Sequence, residues 1–162
     1  SKKFKSEKSV IVGLVNRETK QAKAFKIDNA DKECLLPKIG CNVKEKSTIV
    51  TDTYHAYNNL RRNYTHKTVK HSANEYVRNE LDIDGRVAFK VHTNTVEGFW
   101  SIVKRTINGT HHWISKKHTQ AYLAEMEVRY NTKEEADCVR FESFVSKVNG
   151  LRLKYKDLIA IV

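Results

Sequence analysis

Two carboxylates and a lysine in this sequence have the residue types and spacing that phosphodiester chemistry uses. Glu97 begins a polar stripe at helical spacing, and Lys104 lies two turns further along the same side. Asp52 ends a short β-branched segment, a position where α/β sheets commonly place functional groups. Carboxylate oxygens are the ligands that Mg²⁺ or Mn²⁺ prefers, and two such ions can activate an attacking hydroxyl and stabilise a leaving oxygen. Asp52 and Glu97 are therefore candidate catalytic and metal-binding residues, although such a site needs a further acidic ligand.

Each of these acids also has a purely structural interpretation. Asn94 as an N-cap with Glu97 at the third helical position indicates a capping box, and the helix dipole favours an acid there. Asp52 taken alone is equally typical of a turn or a helix cap. Capping and catalysis by Glu97 do not exclude each other, so both alternatives stay open.

The elements that must position these residues follow an α/β order. Val10–Val15 is a continuous apolar run and predicts a buried strand, and Ala22–Ile27 alternates as a half-buried strand does, so the two predict a hairpin. Residues 30–43 have helical apolar spacing that Pro37 and Gly40 weaken. The remaining predicted strands are at 47–52 and 67–71, with helical turns at 54–60 between them and a loop at 72–90 after them. Helices are predicted at 93–108 and at 115–130, the second with Ser115 as its N-cap. The tail has two helical patterns, one centred on Phe141, Phe144 and Val148 and the other on Leu151, Tyr155 and Leu158.

The overall charge favours a polyanionic partner. Among 162 residues, 30 are Lys or Arg and 19 are Asp or Glu, which gives a formal charge of +11. The side chains expected to contact DNA, with solvation or core packing as the alternative, are Asn94, Lys104, Arg105, His111, His112, Lys116 and Lys117. Trp100 and Trp113 are predicted to lie in the core rather than to stack on bases.

The cysteines and the apolar runs indicate a reducing compartment and no membrane. Cys34, Cys41 and Cys138 form no CxxC pair, which predicts buried or inert thiols and argues against a structural zinc. No apolar run reaches the roughly 20 residues that span a bilayer, and no signal peptide is visible.

One dense motif resembles a known family. Residues 92–105 read His-Thr-Asn-Thr-Val-Glu-Gly-Phe-Trp-Ser-Ile-Val-Lys-Arg, and residues 109–112 read Gly-Thr-His-His. This motif resembles the ISXO2-like, IS1595-family transposases of bacterial insertion sequences. The similarity continues through Ser115, His118, Tyr122 and Leu123 to Arg129-Tyr130-Asn131, and residues 12–15 and 51–57 also fit the family.

The resemblance implies a ribonuclease-H-like fold, in which helices flank a mixed sheet that carries an acidic triad. Asp52 would be the second acid and Glu97 the third, with Asn94 as a minor alternative, and Lys104 would contact DNA near the cleaved end. The family's first acid lies in a strand before the hairpin, in a motif like Asp-Glu-Thr-Tyr, and nothing like it occurs here. We therefore expect a basic lead-in at 1–8, a catalytic domain missing its first strand at 9–131, and a helical tail at 132–162.

Three functions remain open on the sequence. The first is a DNA transposase of the acidic-triad type in the bacterial cytoplasm, close to the nucleoid, which acts as a homodimer on transposon ends and target DNA with Mg²⁺ or Mn²⁺. The second is a DNA-binding remnant without catalysis, which the missing first acid supports. The third is a ribonuclease-H-like nuclease, whose site would look the same but would not transfer strands.

Overall fold

An antiparallel hairpin begins the folded part of the chain. The computed structural model describes residues 9–148, 150–152 and 154–156, so the predicted lead-in at 1–8 lies outside it. Strand β1 (Val10–Val15) pairs with β2 (Ala22–Ile27) along its whole length. The turn is closed by Asn16, whose side-chain oxygen accepts hydrogen bonds from the backbone amides of Glu18 and Thr19, at 2.8 and 3.1 Å. The predicted hairpin and its bounds are confirmed, but β1 is mostly half-buried, and within it only Val12 is fully buried.

A helix covers the outer edge of β2. Helix α3 (Thr119–Asn131) runs along this edge, and its polar side chains hydrogen-bond the strand's backbone where a further strand would otherwise pair. Asn131 binds the amide and carbonyl of Ala22 at 2.6 and 2.9 Å, and Glu127 accepts from the amide of Ala24 at 2.5 Å. Gln120 accepts from the Lys26 amide at 2.9 Å and donates to the Ala24 carbonyl at 3.1 Å.

The spacing explains why a helix can satisfy a strand in this way. Four helical residues rise by about 6 Å and two strand residues by about 6.6 Å, so Asn131 and Glu127, one turn apart on α3, meet the alternate strand residues Ala22 and Ala24. Gln120, two turns before Glu127, contacts Ala24 and Lys26. The edge of β2 therefore presents few unpaired backbone groups, which is the usual requirement for an edge strand.

The main core lies between this hairpin, α3 and helix α2 (Asn94–Thr106). Phe99 and Val103 of α2 are buried against Leu123 and Met126 of α3, as the apolar face predicted. Trp100 packs on β1 so closely that a Cβ at Gly13 would lie 2.5 Å from the indole ring. We call β1, β2, α3 and the apolar face of α2 the packed unit.

A second strand pair is parallel. Strand β3 (Thr48–Thr51) pairs in parallel with β4 (Thr65–Thr68), and a 3₁₀ segment, His55–Arg62, connects them. Ala56 and Leu60 bury one side of this segment. The predicted strand at 47–52 and turns at 54–60 are confirmed, whereas the strand predicted at 67–71 begins two residues earlier and ends before Val69.

The loop predicted at 72–90 was wrong, because this stretch contains a second antiparallel hairpin. Strand β5 (Val77–Leu81) pairs with β6 (Val87–His92) around a turn in which Asp82 accepts hydrogen bonds from the Asp84 and Arg86 amides. Gly85 has φ +75°, a conformation that glycine adopts without strain. The sequence did not indicate this hairpin, because most β5 and β6 side chains are exposed and the alternation of apolar and polar residues is therefore weak.

Three two-stranded sheets occur within the described residues, one parallel and two antiparallel. Together with the helices they make a mixed α/β fold, which confirms the α/β part of the predicted class, although the described strands form three separate pairs and not the single mixed sheet that was expected. Strand β6 contacts both β3 and β4 and leads directly into α2, so it connects the parallel pair to the packed unit.

The helices outside the packed unit correct several sequence predictions. Helix α1 (Lys32–Gly40) contains Pro37 and is capped by Asp31, which accepts from the Cys34 amide at 2.9 Å. Ser115 is not an N-cap, because α3 begins at Thr119 and Ser115 instead starts the preceding turn. Helix α4 (Asp137–Val148) confirms the first helical pattern of the tail, and the second falls partly outside the described residues.

The three cysteines are free thiols, and the first of the two predicted alternatives, burial, does not hold for any of them. Cys41 and Cys138 are exposed, and Cys34 is half-buried. No helix in the described part of the chain is long and apolar enough to span a membrane.

Candidate active site

Glu97 lies in the first turn of α2, on the face opposite the core. The helix begins at Asn94, and Thr93 rather than Asn94 is its N-cap residue, so the predicted capping box was wrong in detail. Thr93 makes no side-chain hydrogen bond to the backbone of the first turn. Instead its hydroxyl donates to the Glu97 carboxylate at 2.5 Å. The Glu97 side chain is 53% exposed, and therefore accessible to a substrate.

A histidine from a distant part of the chain completes this contact. His71 Nε2 lies 3.0 Å from Thr93 Oγ1 and 3.3 Å from Glu97 Oε1. Thr93 is buried, with 7% of its surface exposed, so the contact is anchored in the protein interior. Sequence reasoning missed His71, because its proximity to Glu97 depends entirely on how β4 and β6 are arranged.

An open groove runs along the polar side of α2. It is lined by Glu97, Trp100, Ser101 and Lys104, so the stripe predicted from helical spacing does form one surface. Lys104 and Ser101 are exposed, and the Trp100 side chain is partly buried against the core. A carboxylate and an ammonium group thus lie along the same groove. The ammonium can pair directly with a phosphate, whereas the carboxylate can approach one only through a bound cation.

Asp52 lies immediately after β3. Its Oδ1 accepts a hydrogen bond from the Tyr54 amide at 3.1 Å, which is the turn-forming role that the sequence left open. The residue is exposed. Tyr57 packs nearby, and burial, together with the charge of Asp52, raises the pKa of its hydroxyl.

Asp52 and His71 follow the same edge of the parallel pair. Because β3 and β4 are parallel, their carboxyl ends meet there, and the Val69 amide donates to the Thr51 carbonyl at 3.0 Å just beyond β4. His71 in turn contacts Glu97. We call this region, where β3 and β4 end and α2 begins, the strand-end edge.

The two predicted acids are thus brought to one region but not into a complete metal site. Within the described residues, no three His, Cys, Asp or Glu side chains converge as a metal site requires. The oxygen chemistry of Asp52 and Glu97 suits Mg²⁺ or Mn²⁺, and one Glu97 oxygen is already engaged by Thr93 and His71.

Arg17 fixes the strand that leads into α2. Its guanidinium donates to the carbonyls of Lys90 and His92 at 2.7 and 2.6 Å and lies 5.3 Å from the centre of the Phe89 ring. Partial burial lowers the pKa of Arg17, and burial is also the main reason that the pKa of His92 is lowered. Sequence reasoning missed this residue, which has no recognisable motif.

The other residues predicted to bind DNA lie on α2 and in the segment that follows it. Arg105 is exposed at its last turn, and Ile107–His111 continues as a π-helical segment. The imidazole of His111 packs 4.7 Å from the Tyr122 ring, whereas His112 hydrogen-bonds the Asn108 carbonyl at 3.1 Å. The remaining exposed predicted residues are Asn94, Lys116 and Lys117.

The two tryptophans have different environments. Trp100 packs against the core, as predicted. The prediction for Trp113 was wrong, because this side chain is 72% exposed beyond the end of the π-helical segment.

The family follows from comparison with known sequences. A sequence model of the ISXO2-like transposase domain matches residues 1–131. The chain belongs to this family. It is also similar to an uncharacterized transposase-like protein of Haemophilus influenzae, with 31% identity over 112 residues, which are 67% of this chain and 79% of that protein. No solved structure matches the chain. The matched region includes Asp52, Glu97 and Lys104, and α4 lies beyond it.

Proposed function

We propose that this chain forms the catalytic part of a DNA transposase that cleaves insertion-sequence ends and joins them to target DNA. The observation that carries the proposal is the groove of α2, in which Glu97 and Lys104 lie along one exposed surface in a member of the ISXO2-like family. The net charge of +11 supports a DNA partner, because cations that neutralise phosphates release counterions.

The proposed roles follow from the position of each side chain. Asp52 and Glu97 supply carboxylates from the two sides of the strand-end edge and would hold Mg²⁺ or Mn²⁺, with remaining ligands from DNA and water. When bound, such a cation supplies Lewis-acid stabilisation of the reacting phosphate. Lys104 neutralises a phosphate of the strand in the groove, and Arg105, Lys116 and Lys117 extend the cationic surface. Asn94, His111 and His112 supply further polar groups for contact with DNA.

The chemistry has two displacement steps at phosphorus. In the first, water attacks a phosphodiester at the transposon end, and the 3′-oxygen leaves as a hydroxyl after taking a proton. In the second, that 3′-hydroxyl attacks a target phosphodiester, a new P–O bond replaces the old one, and the displaced target oxygen leaves as a 3′-hydroxyl. No bond energy source is needed, because one phosphodiester is exchanged for another.

Several broader features belong to the same proposal. We infer that the mixed α/β fold is ribonuclease-H-like, that residues 9–131 are the catalytic domain with 1–8 as a basic lead-in and 132–162 as a helical tail, and that two copies act together because two DNA ends must be joined. A bacterial transposase of this kind would act in the cytoplasm near the nucleoid. The support is family membership together with the parallel β3–β4 pair beside an antiparallel hairpin.

Replacing one carboxylate tests the proposal. In the full transposase, Glu97→Gln keeps the size of the side chain but removes its charge. We expect cleavage of labelled transposon-end DNA to fall by about 100- to 1,000-fold, the range that loss of one preorganised catalytic group costs, while DNA affinity changes little. The matched control is Glu125→Gln, which removes a carboxylate that pairs with Arg129 on α3.

The products separate the competing functions. Cleavage and strand transfer that both depend on Glu97 support the transposase. Cleavage without strand transfer indicates a nuclease of similar architecture, and salt-sensitive DNA binding without any cleavage indicates a DNA-binding remnant. Unchanged cleavage in Glu97→Gln would overturn the assignment of Glu97.

A further inference from the structure

We propose that His71 is a positioning residue that holds the Glu97 carboxylate in the groove, an inference that rests on the proposed catalytic role of Glu97. The imidazole reaches both Thr93 and Glu97 across the gap between β4 and α2, at 3.0 and 3.3 Å. A flexible acid in the first turn of a helix would otherwise sample several rotamers, and only some of these direct its free oxygen into the groove.

The number of hydrogens that each group can donate shows that His71 is the donor in its contact with Thr93. The Thr93 hydroxyl has one hydrogen, which it donates to Glu97 at 2.5 Å, so towards His71 it can only accept. The carboxylate also only accepts. His71 Nε2 must therefore carry a proton, which it donates to Thr93 Oγ1, and the same nitrogen lies 3.3 Å from Glu97 Oε1. These contacts involve only Oε1 and leave Oε2 of Glu97 for a substrate.

The turn that carries His71 is closed by hydrogen bonds. The Asn74 amide donates to the His71 carbonyl at 3.0 Å, and Asn74 has φ +55°, which closes the short 3₁₀ turn His71–Ala73. The Glu75 carboxylate accepts from the Lys70 amide at 3.0 Å and also pairs with Arg78. An imidazole on such a closed turn has few alternative positions, as a positioning role requires.

His71 also connects the two proposed acids. Val69, two residues before it, is fully buried, and its amide binds the carbonyl of Thr51, the residue before Asp52. Asp52 is thus linked to Glu97 through one backbone hydrogen bond, the short segment from Val69 to His71, and the side-chain contacts of His71. A displacement of His71 would alter the position of one acid relative to the other.

Two substitutions at position 71 distinguish positioning from a merely structural contact. His71→Ala removes the donor, and His71→Gln retains an amide N–H near the position of Nε2. We expect His71→Ala to lower kcat for end cleavage by about 10- to 100-fold, the usual effect of losing a residue that orients a catalytic ligand, with KM for DNA changed less than about threefold. His71→Gln should recover most of this loss. The control is Ser72→Ala, an exposed position in the same turn.

The outcomes separate this inference from the function on which it rests. Activity in Glu97→Gln would overturn the role of Glu97 itself. If Glu97→Gln is inactive and His71→Ala retains kcat within twofold, the site stands and the positioning role is wrong. Equal losses in His71→Ala and His71→Gln would also overturn it, because the donor would not be what matters.

A measurement on the protein without added metal or DNA gives an independent readout. Long-range ¹H–¹⁵N spectra report which imidazole nitrogen carries a proton, and we expect a protonated Nε2 on His71. Glu97→Ala and Thr93→Val should each shift this resonance, whereas Glu125→Gln should not. A His71 ring with an unprotonated Nε2, or one whose signal ignores both changes, would overturn the proposal even if His71→Ala fails to fold.

Discussion

The packed unit and the strand-end edge are stabilised in different ways. In the packed unit, Phe99 and Val103 contribute buried apolar area, and Asn131, Glu127 and Gln120 satisfy one strand edge with five hydrogen bonds. At the strand-end edge, Asp52 and Glu97 are exposed, and single hydrogen bonds from separate elements hold them. Changes in the first region should therefore unfold the protein, whereas changes in the second should alter chemistry and leave the fold intact.

The largest effect on stability is expected from the centre of the packed unit. Phe99→Ala removes a fully buried ring that packs against Trp100 and Tyr130, and should lower the free energy of unfolding by about 3–5 kcal/mol. Urea denaturation monitored by circular dichroism measures this change. A loss below about 1 kcal/mol would show that α2 is not fixed by its apolar face.

The next effect tests the helix that covers β2. Asn131→Ala leaves the amide and carbonyl of Ala22 without their side-chain partners and should destabilise the protein by about 1–3 kcal/mol. The same denaturation measurement applies, with Asn58→Ala as an exposed control on the 3₁₀ segment. Indistinguishable midpoints for the two variants would contradict a structural role for this contact.

A smaller effect is expected from pH at the strand-end edge. Burial, with a contribution from the charge of Arg61, lowers the pKa of His66, whose Nε2 lies 2.8 Å from Thr51 Oγ1. The unfolded chain, with a histidine pKa near 6.5, then binds the proton more readily than the folded one. His66 therefore does not lower the free energy of unfolding above about pH 6.5, and this free energy should fall as pH decreases below that value.

His66→Gln provides the control for this pH dependence. Denaturation between pH 7 and pH 5 should show a shallower decline in the variant, and the remaining slope includes His92, whose pKa burial also lowers. An identical slope in the wild type and the variant would exclude His66 as the source.

The smallest effect on stability is expected at the polar face of α2. Lys104→Ala should change the free energy of unfolding by less than about 0.5 kcal/mol, because the side chain is exposed. It should nevertheless weaken DNA binding and reduce the slope of log affinity against log salt by about 1, as loss of one phosphate contact does. An unchanged salt slope would show that Lys104 does not contact a phosphate.

The sequence predictions were more accurate in the packed unit than in the exposed parts of the chain. The first hairpin and α2 were predicted well, because their apolar patterns match the faces that the core buries. The β5–β6 hairpin was missed, since exposed strands need no apolar alternation. Trp113 was wrongly predicted to lie in the core, because the presence of a large aromatic residue does not show whether another part of the chain packs against it.

The sequence by itself determined the polar stripe from Glu97 to Lys104, the position of Asp52 at a strand end, and the motif that the family shares. These depend on local periodicity, which the helix and strand repeat impose on any sequence. Only the tertiary structure decided that His71 and Thr93 hold Glu97, that Arg17 fixes β6, and that α3 completes the edge of β2. Apart from the local Thr93–Glu97 bond, these contacts join residues that lie far apart in the chain. Such long-range hydrogen bonds leave no periodic pattern in the sequence from which they could be predicted.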